Sequence, residues 1–247
     1  MRKKKNKYFF SVIIPIQDIS DYLFKNLENL NNQSFRDFEV IIICEKRIKI
    51  NLDIYKYKAK VIYSKNILLP GAKRNLGAKK SKAEILAFID DDAFPKYNWL
   101  EKAYKKIIKI KTNKFIIGGP GILPKSDSFF SKLIDISFRS ILFGSSRYRY
   151  SSIKIKNNKE IFDDWPSVNM FINKRGFTKN GGFNEKYWPG EDSKLCNTLI
   201  NRKFKIYYLY DLIVYHYRRS NLKKHIRQIF RYSYTRGKFF RDYDTNS

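Results

Sequence analysis

Short apolar segments rich in β-branched residues alternate with amphipathic segments along the first half of the chain. Five of these segments have the length and composition of buried strands: residues 9–16, 38–44, 60–63, 84–89 and 115–117. Three others carry the apolar spacing of helices: residues 20–30, 72–81 and 99–110. Strands that alternate with helices in this way form parallel sheets covered on both faces. The chain is therefore predicted to be an α/β protein with a doubly wound, mostly parallel sheet flanked by helices.

The second half of the chain has a different pattern. Residues 128–143 are predicted to form an aromatic-rich helix, and residues 144–160 a polar, basic and mobile loop. Residues 206–217 are strand-like and aromatic, and the pattern after them becomes helical and basic. The sequence contains no internal repeat and no clear linker. The expected organisation is one domain over residues 1–215, followed by a basic amphipathic C-terminal helical segment over residues 216–247.

Composition excludes several classes of protein. A chain of 247 residues with 43% hydrophobic side chains can bury a sizeable core, which excludes a disordered protein. The two cysteines, Cys44 and Cys196, are too few for a disulfide scaffold or a cysteine-rich zinc protein, and they fit a reducing compartment. The apolar run after the basic N-terminus is short for a signal sequence and contains Pro15. No run approaches the roughly 20 apolar residues that a membrane-spanning helix needs. The expected location is the cytoplasm, peripheral at the cytoplasmic face of the membrane.

The charge balance predicts an acidic partner. Lys and Arg number 51 and Asp and Glu 23, which gives a net charge of +28. Nucleic acid, an anionic membrane and a phosphorylated small molecule are all candidates. Residues 216–241 hold nine Lys or Arg and no acidic residue, and residues 2–7 add five positive charges. We expect the basic C-terminal helix to bind an anionic membrane surface; the alternative is a helix packed on the domain with its charged face in solvent.

Asp90, Asp91 and Asp92 directly follow the predicted strand 84–89. Ligands of open parallel sheets bind beyond the carboxyl ends of the strands, which is where these carboxylates lie. Three adjacent carboxylates repel one another unless a cation or several donors neutralise them, and Mg²⁺ or Mn²⁺ prefers such oxygen ligands. The alternative is a solvated acidic turn ahead of the next helix.

Glu191 and Asp192 follow Gly190 and precede a helical apolar stripe. They are therefore expected near a helix N-terminus, where the helix dipole stabilises carboxylates and lowers their pKa. Such a carboxylate can act as a general base once substrate desolvates it. The alternative is an ordinary helix cap and first turn.

Five segments occur in one order along the chain: SVIIP (11–15), PGAKRNLGA (70–78), FIDDDAFP (88–95), VNMFINKRGFTKNGGFNE (168–185) and GEDSKL (190–195). Each segment alone is common, but the ordered series resembles the inverting GT-A glycosyltransferases of family 2. Residues 129–240 are further similar to the succinoglycan-type exopolysaccharide branch of that family. The resemblance implies a GT-A fold and an enzyme of cell-surface polysaccharide or glycoconjugate synthesis.

The resemblance also implies substrates and a cofactor. The expected donor is a nucleoside-diphosphate sugar, with a UDP-sugar favoured, and the expected acceptor is a lipid-linked sugar or another glycan. Mg²⁺ or Mn²⁺ would assist departure of the diphosphate, and a single displacement would invert the anomeric carbon. No specific nucleic acid is expected as a partner.

Residue roles are carried over on matching positions. On the donor side the resemblance implies a nucleoside pocket and a basic contact, formed by Pro15, Ile16, Gln17, Glu45, Arg74, Asp90 and Asp91. Asp92 matches the position that holds the metal on the diphosphate. Asp192 matches the catalytic base, and Glu191 its neighbour on the acceptor side. His216 follows a predicted strand where many GT-A enzymes place a metal-ligating histidine; the alternative is a polar residue at a strand end.

The sequence departs from the family pattern after its second strand. The family usually has two Asp residues there, and this chain has Cys44 and Glu45. Glu45 could still accept the base N–H of a uracil, whereas Cys44 cannot replace a carboxylate. Three side chains outside the motifs also carry expectations. Trp188 could stack on a sugar or pack in the fold. Trp165 is expected in the core; the alternative is that it lines the acceptor cleft with Asp163 and Asp164. Asp135 is expected as a helix-surface charge.

Two other functions fit parts of the sequence. A nucleic-acid-binding protein is suggested by the net charge of +28 and by alternating Arg and Tyr at 147–150. The grouping of carboxylates at strand ends argues against it, as does the lack of an RNP, helix-turn-helix or zinc pattern. A nucleotidyltransferase on a related fold is the other alternative, but the expected early Gly-rich signature is missing.

Overall fold

A computed structural model describes part of the chain: residues 7–155, 162–218, 226, 227, 229–231, 233–235 and 237. Most of the N-terminal basic cluster and the end of the loop predicted at 144–160 lie outside the described residues. The same holds for most of the segment 216–247, so the predicted C-terminal membrane helix stays a prediction. Among the helices of the described part, none has the length and apolar character to cross a bilayer.

Ten strands and six α-helices have defined bounds among the described residues. The strands are β1 Tyr8–Ile16, β2 Phe38–Cys44, β3 Lys58–Tyr63, β4 Ala83–Phe88, β5 Ala93–Pro95, β6 Phe115–Gly118, β7 Gly121–Ile122, β8 Met170–Asn173, β9 Lys205–Tyr208 and β10 Val214–His216. The helices are α1 Asp21–Asn31, α2 Pro70–Lys80, α3 Trp99–Ile107, α4 Phe129–Arg139, α5 Lys174–Lys179 and α6 Glu191–Asn201. Two 3₁₀ segments occur, Ile141–Arg149 and Ser167–Asn169.

Seven strands form the central sheet in the order β3-β2-β1-β4-β8-β6-β9. All neighbouring pairs are parallel except those of β8, which runs antiparallel to both β4 and β6. The strands at the centre are buried on both faces, and all seven residues of β2 are buried, as expected when helices cover a sheet on both sides. These findings confirm the predicted α/β fold with a mostly parallel sheet flanked by helices.

A second, three-stranded sheet has the order β5-β10-β7. It pairs Ala93 with His216, so it brings the end of β10 beside the acidic segment that follows β4. This sheet was not predicted separately, because strands of two or three residues carry no recognisable periodicity. The boundary predicted at 215/216 falls inside β10.

The segment 144–160 was predicted as a mobile loop, and its first part differs from that expectation. A 3₁₀ segment spans Ile141–Arg149, interrupted at Gly144, where φ is +55°. Tyr148 in this segment is buried, and its ring packs edge-on against Phe162 and Tyr208. Aromatic packing therefore orders a stretch whose polar composition suggested a loop.

Helix α2 lies unusually close to the sheet because of Gly77. A Cβ atom at this position would lie 2.6 Å from Ile13 Cγ2 and 2.8 Å from Ile43 Cδ1. Any other residue would push the helix away from β1 and β2. This close approach places the two basic side chains of the preceding turn, Lys73 and Arg74, at the carboxyl ends of the strands, where both are buried.

Candidate active site

Arg74 of α2 joins the two acidic motifs. Its guanidinium donates from Nη2 to Asp90 Oδ1 at 2.6 Å and from Nη1 to Glu191 Oε1 at 2.9 Å. Asp90 follows β4, and Glu191 begins α6, so groups 101 positions apart in sequence (191 − 90 = 101) meet on one side chain. Arg74 therefore joins the carboxyl end of β4 to the N-terminus of α6.

The burial of this ionic cluster affects its members differently. Burial lowers the pKa of Arg74, but the charges of Asp90 and Glu191 outweigh that effect and hold the pKa above its ordinary value. Burial raises the pKa of Glu191, and Asp192 adds to the rise while Arg74 opposes it. The sequence predicted a lowered pKa from the helix dipole, so that expectation was wrong for Glu191. Loss of water around the carboxylate outweighs the dipole there.

Asp90, Asp92 and His216 form a compact group of possible metal ligands. One ligand atom from each lies within 4.8 Å of the other two. The pairing of β10 with β5 supplies the histidine, and His216 Nε2 lies 3.3 Å from Asp92 Oδ1. Two carboxylates and an imidazole at a half-buried strand end are a donor set that fits Mg²⁺ or Mn²⁺.

Arg218 contacts the Nδ1 side of the His216 ring, whereas Asp92 lies at its Nε2 side. Its Nη1 lies 3.1 Å from His216 Nδ1, and its Nη2 donates to the Gly121 carbonyl at 2.7 Å. A guanidinium only donates, so Nδ1 is the acceptor and Nε2 carries the proton of the neutral ring. That Nε2–H points to Asp92. Ligation of a metal by Nε2 would move the ring proton to Nδ1, which requires Arg218 to release the ring.

Asp91 lies between the two possible ligands in sequence, and its carboxyl is largely buried. Burial, followed by the charges of Asp92 and Asp90, raises the pKa of Asp91 to about 7. Part of the electrostatic repulsion predicted from the three-aspartate run therefore acts on Asp91. Its predicted role on the donor side stays a prediction.

This shift makes stability depend on pH in the metal-free protein. Between the unfolded pKa of about 3.9 and the folded value, the native state binds more protons, so the free energy of unfolding falls as pH rises through this window. We expect Asp91→Asn to flatten that fall and to stabilise the protein at pH 8 more than at pH 5. Urea denaturation in the presence of a chelator measures this, with the exposed Asp163→Asn as the control. If Asp91→Asn and wild type showed the same pH dependence, the raised pKa of the Asp91 carboxyl would be contradicted.

Lys73 connects the residues predicted to form the nucleoside pocket. Its Nζ donates to the Ile16 carbonyl and to Glu45 Oε2, both at 2.7 Å. Pro15 and Ile16 are buried at the end of β1, whereas Gln17 is exposed. The ends of β1 and β2 are therefore held together by one buried lysine, and Glu45 is its counter-ion.

Asp192 lies in the first turn of α6, partly exposed. Its Oδ2 accepts from the Ser167 backbone N–H at 3.3 Å, and its Oδ1 accepts from the Ser193 N–H at 2.8 Å. The Ser193 hydroxyl donates to Asp164 at 2.8 Å, and Asp164 is paired with Arg149. The carboxylate that the sequence singled out as a base is thus oriented by backbone donors on two sides.

Several side chains of this region were not identified from the sequence. Asn75 accepts from the Phe183 N–H at 2.9 Å and donates to the Phe183 carbonyl at 2.8 Å, which fixes the turn ahead of α6. Lys73 and Asn75 flank Arg74, so the run Lys-Arg-Asn at a helix start, facing strand ends, is the signal that could have found them.

Trp165 is buried in the core, as expected. Trp188 is 47% exposed, and Arg231 lies over its ring.

Asp135 was expected on the helix surface, and that expectation was wrong. Its side chain is 5% exposed and lies within 3.4 Å of Arg218 and 3.6 Å of Arg139. A buried cation, supplied by a distant part of the chain, explains why this acid faces inward.

Comparison with known proteins assigns this chain to a protein family. The chain matches the family model described as Glycosyl transferase family 2 over residues 11–175. The matched range contains Arg74, Asp90 and Asp92, whereas Asp192 and His216 lie beyond it.

Two curated relatives match along most of the chain. The dolichyl N-acetyl-alpha-D-glucosaminyl phosphate 3-beta-D-2,3-diacetamido-2,3-dideoxy-beta-D-glucuronosyltransferase of Methanococcus voltae is 25% identical over 94% of this chain and 74% of its own length. The minor teichoic acid biosynthesis protein GgaB of Bacillus subtilis is 27% identical over 88% of this chain, but over 24% of its own length. This chain therefore corresponds to most of one relative and to about a quarter of the other.

Two solved structures share the fold. S. aureus TarS 1-349 in complex with UDP-GlcNAc matches with a TM-score of 0.61 and 20% identity, over 86% of this chain and 59% of that one. GalNAc-T7 with UDP, GalNAc and Mn²⁺ matches with a TM-score of 0.62 and 15% identity, over 87% of this chain and 45% of that one. At these identities the likeness establishes the GT-A-like fold.

Proposed function

We propose, from the premise that this chain belongs to glycosyl transferase family 2, that it transfers a sugar from a nucleoside-diphosphate donor to a glycan acceptor with inversion. The contact of Arg74 with both Asp90 and Glu191 carries the proposal, because it joins the carboxylate proposed for the donor side to the one proposed for the acceptor side. The complex of a structural neighbour with UDP-GlcNAc supports a UDP-sugar as donor.

Asp192 is the general base of the proposed reaction. It takes the proton of the acceptor hydroxyl, whose oxygen bonds to the anomeric carbon as the bond from that carbon to the diphosphate oxygen breaks. Attack from the face opposite the leaving group inverts the configuration. Glu191, held by Arg74, lies next to the base on the acceptor side.

The donor side is formed by the strand ends. Asp90, Asp92 and His216 would hold a divalent cation, which as a Lewis acid stabilises the negative charge on the departing diphosphate. Lys73 fixes the relative positions of Ile16 and Glu45, at the place proposed for the nucleoside together with Pro15 and Gln17. Mn²⁺ in the structure of one neighbour supports this arrangement.

Family membership alone does not specify the acceptor or the location of the enzyme, so both are part of the proposal. The relative from Methanococcus voltae is named for dolichyl N-acetyl-alpha-D-glucosaminyl phosphate, which supports a lipid-linked acceptor here. The teichoic acid relative supports a role in polysaccharide synthesis, within which the exopolysaccharide branch is our proposal. We place the enzyme at the cytoplasmic face of the membrane, with residues 1–215 as the catalytic domain and 216–247 as a basic appendage.

A thermal-shift screen tests the donor assignment. Nucleoside diphosphates and nucleotide sugars are added with Mn²⁺, with Mg²⁺ or with a chelator, and the melting temperature is recorded. Binding to the folded state raises the melting temperature by mass action, so we expect UDP and a UDP-sugar to raise it in the presence of the metal. If no nucleoside diphosphate shifts it under any condition, the proposed function is wrong.

The metal site is tested with Asp92→Ala. We expect this change to weaken Mn²⁺-dependent binding of UDP by at least about tenfold, because even residues that only orient metal ligands contribute about 10–100-fold to metal affinity. Isothermal titration with UDP and Mn²⁺ measures the affinity. Asp163→Asn, which removes an exposed carboxylate, should leave it unchanged. Equal affinity of Asp92→Ala and wild type would exclude Asp92 as a ligand.

A further inference from the structure

Helix α4 exposes more large apolar side chains than an ordinary surface helix does. Its polar residues Ser131 and Asp135 are 0% and 4% exposed, whereas Phe129, Leu133 and Ile136 are 77%, 49% and 65% exposed. Residues spaced by three and four lie on one side of a helix, so the three exposed apolar residues form one continuous ridge. A continuous ridge of exposed apolar side chains is typical of a surface that contacts an apolar partner.

The inward side of α4 carries the buried Ile134, and its polar residues are held by ionic contacts. Asp135 accepts from Arg218 Nη2 at 3.4 Å, and Asp127, just ahead of the helix, accepts from the Arg218 backbone N–H at 3.2 Å. Arg218 also contacts His216 of the candidate active site. The outward ridge is therefore a fixed feature of the fold and lies on a helix tied to that site.

The ridge is surrounded by positive charge. Lys125, Lys132 and Arg139 are exposed around it, and Ile141, which is 78% exposed, extends it beyond the helix. The two acidic residues of this stretch, Asp127 and Asp135, face Arg218. An apolar ridge bordered by cations matches the surface of an anionic bilayer, where apolar side chains enter the acyl boundary and cations contact the headgroups. A second copy of this chain is disfavoured, since a two-fold pair would bring the same three cations together.

We propose that the exposed ridge of α4 docks on an anionic lipid bilayer. This surface is separate from the basic C-terminal segment, and its docking does not depend on which sugar is transferred. It would bring the site next to the leaflet that holds a lipid-linked acceptor.

The experiment reports contact at single positions. The native Cys44 and Cys196 are buried, so a thiol-reactive environment-sensitive dye can be attached at an introduced cysteine. Ile136→Cys places the dye on the ridge, and Ile54→Cys, at a site 66% exposed, is the matched control. With vesicles of phosphatidylcholine and phosphatidylglycerol, we expect a blue shift and increased emission at position 136 and no change at position 54. Vesicles of phosphatidylcholine alone should produce a much smaller effect.

A second variant measures the energetic part of the proposal. Leu133→Glu combined with Ile136→Glu changes two exposed residues, so folding should be retained, which circular dichroism checks. We expect its partition onto the anionic vesicles to fall by about tenfold or more, because two apolar side chains no longer enter the bilayer.

Three results would overturn the proposal. The first is an unshifted dye at position 136 while the protein still sediments with vesicles, which would assign binding to another segment. The second is unchanged partition of the double variant. The third is a concentration-dependent blue shift without lipid, together with a dimer in analytical ultracentrifugation, which would show that a second copy covers the ridge.

Discussion

Asp192→Asn is expected to lower turnover by about 10²–10⁴-fold, the usual contribution of a positioned general base, while donor affinity stays the same. The amide cannot take the proton of the acceptor hydroxyl. Its remaining oxygen can still accept from the Ser167 N–H, as the carboxylate does at 3.3 Å, so the first turn of α6 should keep its place. Release of the nucleoside diphosphate from the donor selected by thermal shift measures turnover, and isothermal titration measures donor affinity.

The control for Asp192→Asn is Asp53→Asn, which removes an equal charge from an exposed position. It should retain turnover, which separates loss of a base from loss of one negative charge. Normal turnover of Asp192→Asn would exclude this residue as the base. Loss of donor binding together with turnover would show that Asp192 organises the donor side instead.

Arg74→Met should produce the largest loss of stability. The buried guanidinium neutralises Asp90 and Glu191, at 2.6 Å and 2.9 Å, and its removal leaves two carboxylates without a cation. Removing one partner of a buried ion pair costs about 3–5 kcal/mol, a large fraction of the about 5–15 kcal/mol that stabilises a typical protein. The midpoint of urea denaturation at pH 7.5 measures the loss.

Two further measurements identify the cause of that loss. Arg202→Met removes an exposed arginine that contacts Asn180 and should change the free energy of unfolding little. The deficit of Arg74→Met should shrink at acid pH, where the carboxylates protonate, and when Glu191→Gln is added. A variant as stable as wild type would contradict the central place of Arg74 in the ionic cluster.

The sequence was sufficient to predict the mostly parallel central sheet and the helices that flank it, because strands buried on both faces leave continuous apolar runs such as residues 38–44. The resemblance also implied that Asp92 on the donor side and Asp192 as the base belong to one site; the contact that the structure records joins their sequence neighbours, Asp90 and Glu191, through Arg74. The sequence could not supply the pairing of β10 with β5, since strands of three residues have no periodicity.

Other features were missed because they depend on contacts distant in sequence. A lysine in a helix is usually exposed, so nothing local indicated that Lys73 would be buried against Glu45. Asp135 was predicted to be a surface charge because its partner Arg218 is 83 residues away in the sequence. The raised pKa of Glu191 depends on how completely the fold removes water, which no local pattern records.

The contact of Arg74 with Glu191 spans 117 positions, and His216 comes from one of the last described strands. Contacts this far apart form late, since the entropy of ordering the intervening chain must first be overcome. A polypeptide still emerging from the ribosome would therefore lack the assembled candidate site. The cation binding proposed above would require the complete fold and should be detectable as added resistance to unfolding.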